Sequence, residues 1–255
     1  MNGFITESKA QELFVFSEPA SNMPAKSIGL RMSHWENYDS NMRQTLPEFM
    51  ISFSKNLMLH VEGNFGNRFG TYQLNGGLLY AKYKFLNNDQ VKSHFRMATF
   101  LKVSQNRGDI NQEELSITNR NSGVEIGIIA TKLLHKTALS GSVSISQLFH
   151  NQVYFDRPIG YTSKALNYSL SYGRLILPKK YKNYKQINMN LMFEMMGQQT
   201  LNGKSYLDIG PSVQFIFNSQ TRVDIGYKKQ IQNNMTRYAP NALMIRIEHL
   251  LFNVL

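Results

Sequence analysis

Tyr206-Leu207-Asp208-Ile209-Gly210-Pro211-Ser212-Val213-Gln214-Phe215-Ile216-Phe217 alternates with period two. Leu207, Ile209, Pro211, Val213, Phe215 and Phe217 share one face; Tyr206, Asp208, Gly210, Ser212 and Gln214 share the other. Successive side chains of a strand point to opposite sides, so this stretch has one apolar and one polar surface. The same split recurs in Ile187, Met189, Leu191, Phe193 and Met195 against Gln186, Asn188, Asn190 and Glu194. Leu139, Val143 and Ile145 likewise face away from Ser140, Ser142, Ser144 and Ser146. A soluble sandwich would also alternate, so the pattern predicts strands and leaves the architecture open.

Working outward, twelve such segments are read at 26–36, 47–53, 56–66, 76–86, 92–104, 123–133, 137–147, 165–176, 185–197, 205–217, 220–231 and 241–252. Most are as long as a tilted strand must be to cross a bilayer, about 9–11 residues. The links between them decide more. After every second strand the link is Ser54-Lys55, a stretch around Asn87-Asn88-Asp89, one around His135, Pro178 to Tyr184, and Asn218-Ser219; four of these are tight and the one from Pro178 is somewhat longer. The other links are mostly longer: Asn37 to Leu46, Asn67 to Asn75, Gln105 to Ser122, Leu148 to Lys164, Gln198 to Lys204, and Gln232 to Pro240. A sandwich or propeller has no reason to alternate long and short connections. An up-and-down antiparallel transmembrane β-barrel of about 12 strands does, with short periplasmic turns and long outer loops. Residues 26–255 are assigned to the barrel and 1–25 to an N-terminal periplasmic segment. Ser8-Lys9-Ala10 before Gln11 resembles the end of a signal-peptide cleavage site.

Composition agrees. No apolar run reaches the length of a membrane-spanning helix. The 13 Tyr and 16 Phe favour strands. Cysteine is absent, which removes disulfides and thiol chemistry from consideration. The net charge of +11 attracts anionic solutes or lipid. The Lys and Arg residues are scattered, so nucleic-acid binding is not expected. The expected partners are outer-membrane lipid, lipopolysaccharide and a small polar solute.

Turning the polar faces inward gives a charged lumen. Arg31, Glu62, Lys82, Lys84, Arg96, Lys102, Glu125, Glu194, Asp208, Arg222, Asp224, Lys228, Arg246 and Glu248 are read as lumen-lining, with Glu48 and His60 beside them. A basic residue facing lipid at the midplane would cost about 2–4 kcal/mol, and an acidic one less. Lys132, Arg174 and Lys229 fall outward near strand ends, where long side chains reach headgroups. Asp208 and Lys228 are expected to meet across the Asn218-Ser219 turn, and Asp224 to lie near Arg246.

The segment Glu12 to Ala25 (ELFVFSEPASNMPA), followed by Ser27-Ile28-Gly29-Leu30-Arg31, resembles the entry to the first strand of uncharacterised outer-membrane barrels of Bacteroidota. Lys204 to Ser212 and Arg222 to Tyr227 resemble their later strands. The resemblance implies an envelope protein, transporter-like, and carries no catalytic motif. Such barrels commonly end on an aromatic residue; here Phe252 is followed by Asn253-Val254-Leu255.

No catalytic residue is assigned. A hydrolase needs Ser and His within reach of each other, with the His oriented by a third group. His34, His60, His94, His135, His150 and His249 form no such pattern with a Ser. Met58 with His60, and Met192 and Met196 flanking Glu194, are better read as packing than as copper(I) ligands. Neither a metal nor a cofactor is expected. Two roles stay open: a narrow or partly plugged pore for small polar or anionic solutes, and a closed accessory barrel whose outer loops bind a partner.

Overall fold

The computed structural model describes residues 14–107, 112–118, 120–149, 162–179 and 186–255. Twelve strands follow one another: β1 (Ser27–Asn37), β2 (Arg43–Ser52), β3 (Leu57–Phe69), β4 (Thr71–Gln90), β5 (Ser93–Asn106), β6 (Gly123–Leu134), β7 (Thr137–Leu148), β8 (Lys164–Leu177), β9 (Asn188–Thr200), β10 (Ser205–Phe217), β11 (Thr221–Asn233) and β12 (Ala242–Leu251). Each pairs antiparallel with its neighbours in sequence, and β1 closes on β12 to complete the barrel. Closure leaves no unpaired edge, the condition for a sheet to sit in hydrocarbon.

The short turns carry the backbone that tight hairpins demand. Asn218 and Ser219 both take positive φ, 51° and 57°, and the Gln220 amide donates to the Phe217 carbonyl at 3.0 Å. That twist matches the right-handed twist of the flanking strands.

Three links differ most from their sequence reading. β2 begins at Arg43, so the first outer link shrinks to 38–42. β3 and β4 meet around Gly70 at φ 88°, where a long outer loop was expected. β4 also continues through Asn87-Asn88-Asp89 to Gln90, leaving only Val91 and Lys92 as the turn. The cause is common to all three. Apolar alternation marks the part of a hairpin that meets lipid, while ladder hydrogen bonds carry the hairpin onward into water after the alternation fades.

Outward faces are apolar. Leu30, Val61, Leu79, Ile128, Val143 and Ile247, from six different strands, are each about half exposed. An exposed apolar band of this extent is a lipid-facing surface. Val143 sits midway along β7 at 55% exposure. Val143→Arg is expected to lower folding stability in vesicles by about 2–4 kcal/mol, whereas Val143→Leu should be neutral. Urea titration of the folded, heat-modifiable band measures both, and equal midpoints would mean that this face does not meet lipid.

Candidate functional site

The interior is polar and largely occupied by side chains. All the residues read as lumen-lining lie on inward positions of their strands, and Lys82, Glu194, Asp208, Arg222, Asp224 and Glu248 are essentially inaccessible. Register explains their grouping. Arg31 stands opposite Glu48 on one side and Glu248 on the other, and its guanidinium bonds both, at 3.1 and 2.7 Å. Arg222 bridges Asp224 and Glu248 at 3.0 Å each. In these two clusters the charges are compensated by carboxylates or cations of the same or a neighbouring strand, as burial requires.

The expected pairs do form, but loosely: Lys228 lies 3.9 Å from Asp208, and Arg246 lies 3.9 Å from Asp224. The close partner of Asp208 is Arg237, with its two terminal nitrogens at 2.6 and 2.7 Å from the two carboxylate oxygens.

The N-terminal segment is the main correction. Residues 1–25 read as periplasmic from the sequence; of these, Phe14 to Met23 lie buried or half-buried within the barrel, and Pro24 and Ala25 line the recess at its turn end. Glu194 of β9 holds it there. Its Oε1 accepts the amides of Val15 and Phe16 at 2.8 and 2.9 Å, and its Oε2 accepts the Ser17 amide and hydroxyl at 2.9 and 2.7 Å. Ser171 donates to the same Oε2 at 3.1 Å. Lys82 Nζ donates to the carbonyls of Pro19 and Ser21, both at 2.8 Å, and Arg31 reaches Glu18 at 2.9 Å. The physical reason is reciprocal: an extended segment has free amides and carbonyls, and the wall offers a buried carboxylate and ammonium to meet them. The stretch read as a cleavage site lies outside the described residues.

Phe16 makes the packing specific. A Cβ built on Gly210 would lie 2.5 Å from its ring, and one on Gly226 2.6 Å from it. These two glycines create the recess that the ring fills. Gly210→Ala should displace Phe16 and loosen the segment by about 1–3 kcal/mol, the usual cost of overpacking. Thiol labelling of a Ser17→Cys background should then speed up several-fold; an unchanged rate would show that the recess does not retain the segment.

At the other end of the barrel, part of the link between β5 and β6 also folds inward. Leu115 and Ile117 pack with Tyr80, Phe100, Ile129 and Ala20, and Gln198 of β9 bonds both the amide and the carbonyl of Leu115, at 2.8 and 2.7 Å. Arg237, from the link between β11 and β12, joins this piece to the wall. Its Nε lies 3.1 Å from Glu114, its fork grips Asp208, and its guanidinium lies 3.5 Å over the Tyr206 ring. Burial alone would push the Glu114 carboxyl up; Arg237, followed by Lys228, more than offsets this and holds it below the ordinary value. Burial alone would lower the Arg237 guanidinium, but its bonds to Asp208 and the charge of Glu114 raise it.

Between these two inserted pieces lie adjoining cavities of about 240 and 260 Å³, sharing Ser17, Glu18, Tyr80, Lys102, Glu114 and Tyr206. A wider recess of about 560 Å³ opens among the turns, lined by Lys55, Lys84, Arg96 and Asp89. The methionines pack: Met58 with Met23, Met50 and Leu250, and Met192 with Phe14. His34 and His249 face Thr45 and Thr221 across neighbouring strands, at 2.9 and 2.8 Å, and His150 lies outside the described residues.

Sequence reading missed Arg237, Glu114 and Gln198 as structural partners. The first two sit in links without periodicity, and Gln198 was placed at the start of one. The sole available signal was that Glu114 and Arg237 are charged residues in the longer links, which on a barrel normally means nothing beyond solvent.

No family model matches the sequence, and no curated protein matches it. Solved structures share the architecture. An outer membrane channel from Pseudomonas putida F1 superposes with a TM-score of 0.60 at 11% identity, over 93% of this chain and 100% of that one. A NanC porin gives 0.55 at 10% identity, over 88% and 98%. A KdgM porin gives 0.52 at 11% identity, over 87% and 98%. Likeness at this identity establishes the fold, which is that of outer-membrane β-barrels.

Proposed function

We propose that this protein is a porin-like conduit of the Gram-negative outer membrane, narrowed by segments of its own chain, that passes small polar solutes. The turn end, where β1 begins and β12 ends, would face the periplasm, and Arg174 and Lys229 would reach lipid or lipopolysaccharide headgroups. The observation that carries the reading is the pair of adjoining polar cavities left between the N-terminal segment and residues 112–118. A barrel filled only for stability would gain more from apolar packing than from a lumen of ion pairs. Permeation, not catalysis, is the role this interior suits.

The charge of the path is graded. Lys55, Lys84 and Arg96 against Asp89 make the turn-end recess basic, so anions would concentrate there. The inserted pieces bring Glu18 and Glu114 to the inner cavities, where Glu48, Glu62 and Asp208 already stand against Arg31, Lys102, Lys228 and Arg246. The small basic excess of the wall therefore supports anion attraction at the mouth rather than along the whole path.

Planar-bilayer recording tests the proposal. Small, discrete conductance steps are expected from the intact chain, with a reversal potential only weakly favouring chloride. A silent barrel would favour the second reading, a closed accessory barrel, which the Arg237 closure of the loop end supports.

A further inference from the structure

Charge on the outside of the barrel is unevenly placed. Among the described residues, the turns and the outward strand positions beside them carry Lys55, Lys92, Lys132, Lys136, Arg174 and Lys179, and no Asp or Glu. Asp89, near the end of β4, takes an inward position opposite His94 and is engaged by Arg96 at 3.1 Å. The loop end is mixed by comparison: Arg43 is 3.2 Å from Glu36, and Lys204 is 3.6 Å from Glu113. Positive charge is thus answered by acids at the loop rim and not at the turn rim.

Two of the turn-end cations sit on the lipid-facing wall. Lys132 of β6 and Arg174 of β8 point outward, two and three residues from the ends of their strands, and β7 runs between them. Lys132 is in register with Leu139, and Leu139 with Tyr172; Arg174 is in register with Thr137, one rung nearer the turns. Strand spacing and rise put their Cα atoms about 12 Å apart, a span that two long side chains close on one headgroup. Arg174 is exposed, and neither residue has an ion pair among the described residues. Lys132 rests over the Phe95 ring at 5.9 Å. Rings and long basic side chains at this level suit a membrane interface.

Toward the loop end, the same three strands present Ile126, Ile128, Val143, Ile145 and Leu170, each 51–58% exposed. Ala130 and Gly141 stand side by side between this surface and Lys132, and a Cβ on Gly141 would meet nothing closer than the Ser169 carbonyl, at 3.6 Å. The small pair leaves a dip in the wall where an acyl chain can lie. An amphiphile with an anionic head and apolar tails matches the arrangement: phosphate to Lys132 and Arg174, chains to the apolar face above them. A soluble acidic partner would match the charge but not the apolar wall continuous with it. We infer that the outward face of β6, β7 and β8 binds an anionic glycerophospholipid of the leaflet at the turn end. This deepens the conduit reading and rests on its topology, because the periplasmic leaflet is the one built of phospholipid and lipopolysaccharide occupies the other.

Native mass spectrometry of the full-length barrel in neutral detergent counts bound lipid, with phosphatidylglycerol compared against phosphatidylcholine of the same acyl chains. A basic residue near an anionic surface is worth roughly fivefold in affinity, so the unmodified chain is expected to prefer phosphatidylglycerol at least tenfold. Lys132→Gln combined with Arg174→Gln should abolish that preference, and Lys132→Arg should keep it. Lys229→Gln, at the loop end, should leave it unchanged. The substituted positions are outward, so folding should survive, and the heat-modifiable band checks that it does. Equal binding of the two lipids by the unmodified chain, or an undiminished preference in the double variant, would overturn the site. Tighter, Arg174-dependent binding of lipid A would also overturn it, giving the patch to lipopolysaccharide. The leaflet is tested separately at Val91, 87% exposed in the turn between β4 and β5. Val91→Cys is expected to escape an impermeant thiol reagent on whole cells. Labelling there would overturn the leaflet and the topology beneath it, whereas a lost lipid preference with Val91→Cys shielded removes the site and keeps the topology.

Discussion

Glu194→Ala is expected to free the N-terminal segment and raise single-channel conductance several-fold. The carboxylate accepts the amides of Val15, Phe16 and Ser17, and the Ser17 hydroxyl. Hydrogen bonds to a charged group contribute about 1.5–3 kcal/mol each. Water entering the lumen would recover part of that, so a net loss of about 3 kcal/mol is reasonable, roughly a hundredfold shift from docked toward released segment. Glu194→Gln keeps one acceptor oxygen and should lie between the two. Deleting residues 14–25 should reproduce the Glu194→Ala conductance without further increase from combining them. If Glu194→Ala conducts like the unmodified chain, the segment is not what narrows the path.

Arg237→Ala should detach residues 112–118 from the wall. It leaves Asp208, which is 1% exposed, with only Lys228 at 3.9 Å, and removes the closest partner of Glu114. Breaking one side of a buried pair costs about 3–5 kcal/mol. Hydrogen exchange at Leu115, whose amide is bonded to Gln198, should accelerate by two orders of magnitude or more. Arg237→Lys should rescue little, since an ammonium lacks the planar fork that grips both oxygens of Asp208.

The same contact carries a pH dependence. Glu114 is held below its ordinary value of 4.5, so its contribution is fully present above that pH and is lost as pH falls through the lower folded value. Docking of the loop should therefore be constant across neutral pH and weaken only in acid. Loss of protection already at pH 6 to 7 would assign the loop's hold to some other group.

Legibility in the sequence followed the range of the interactions. Period-two alternation is local, and a lipid-facing charge is expensive, so the strands, their faces and the inward set from Arg31 to Glu248 could be read from residues two apart. Strand lengths were read less well. Arg43 to Leu46 and Asn87 to Asp89 are paired strand without the apolar face that marks one, because outside the hydrocarbon a ladder needs no greasy side. Charge pairing was half legible: the sheet register brings Asp208 toward Lys228, but the tighter partner, Arg237, arrives from a link.

What fills the barrel was decided by tertiary structure alone. Glu194 looks like any inward acid, and nothing near it announces amides 177 to 179 residues away. Arg237 and Glu114 meet across 123 residues, between links that carry no periodicity. Sequence alone determined the wall, because the membrane imposes one rule on every strand. The interior obeys no such repeating rule, and its closure depended on which distant backbone atoms came within hydrogen-bonding reach once the wall had formed.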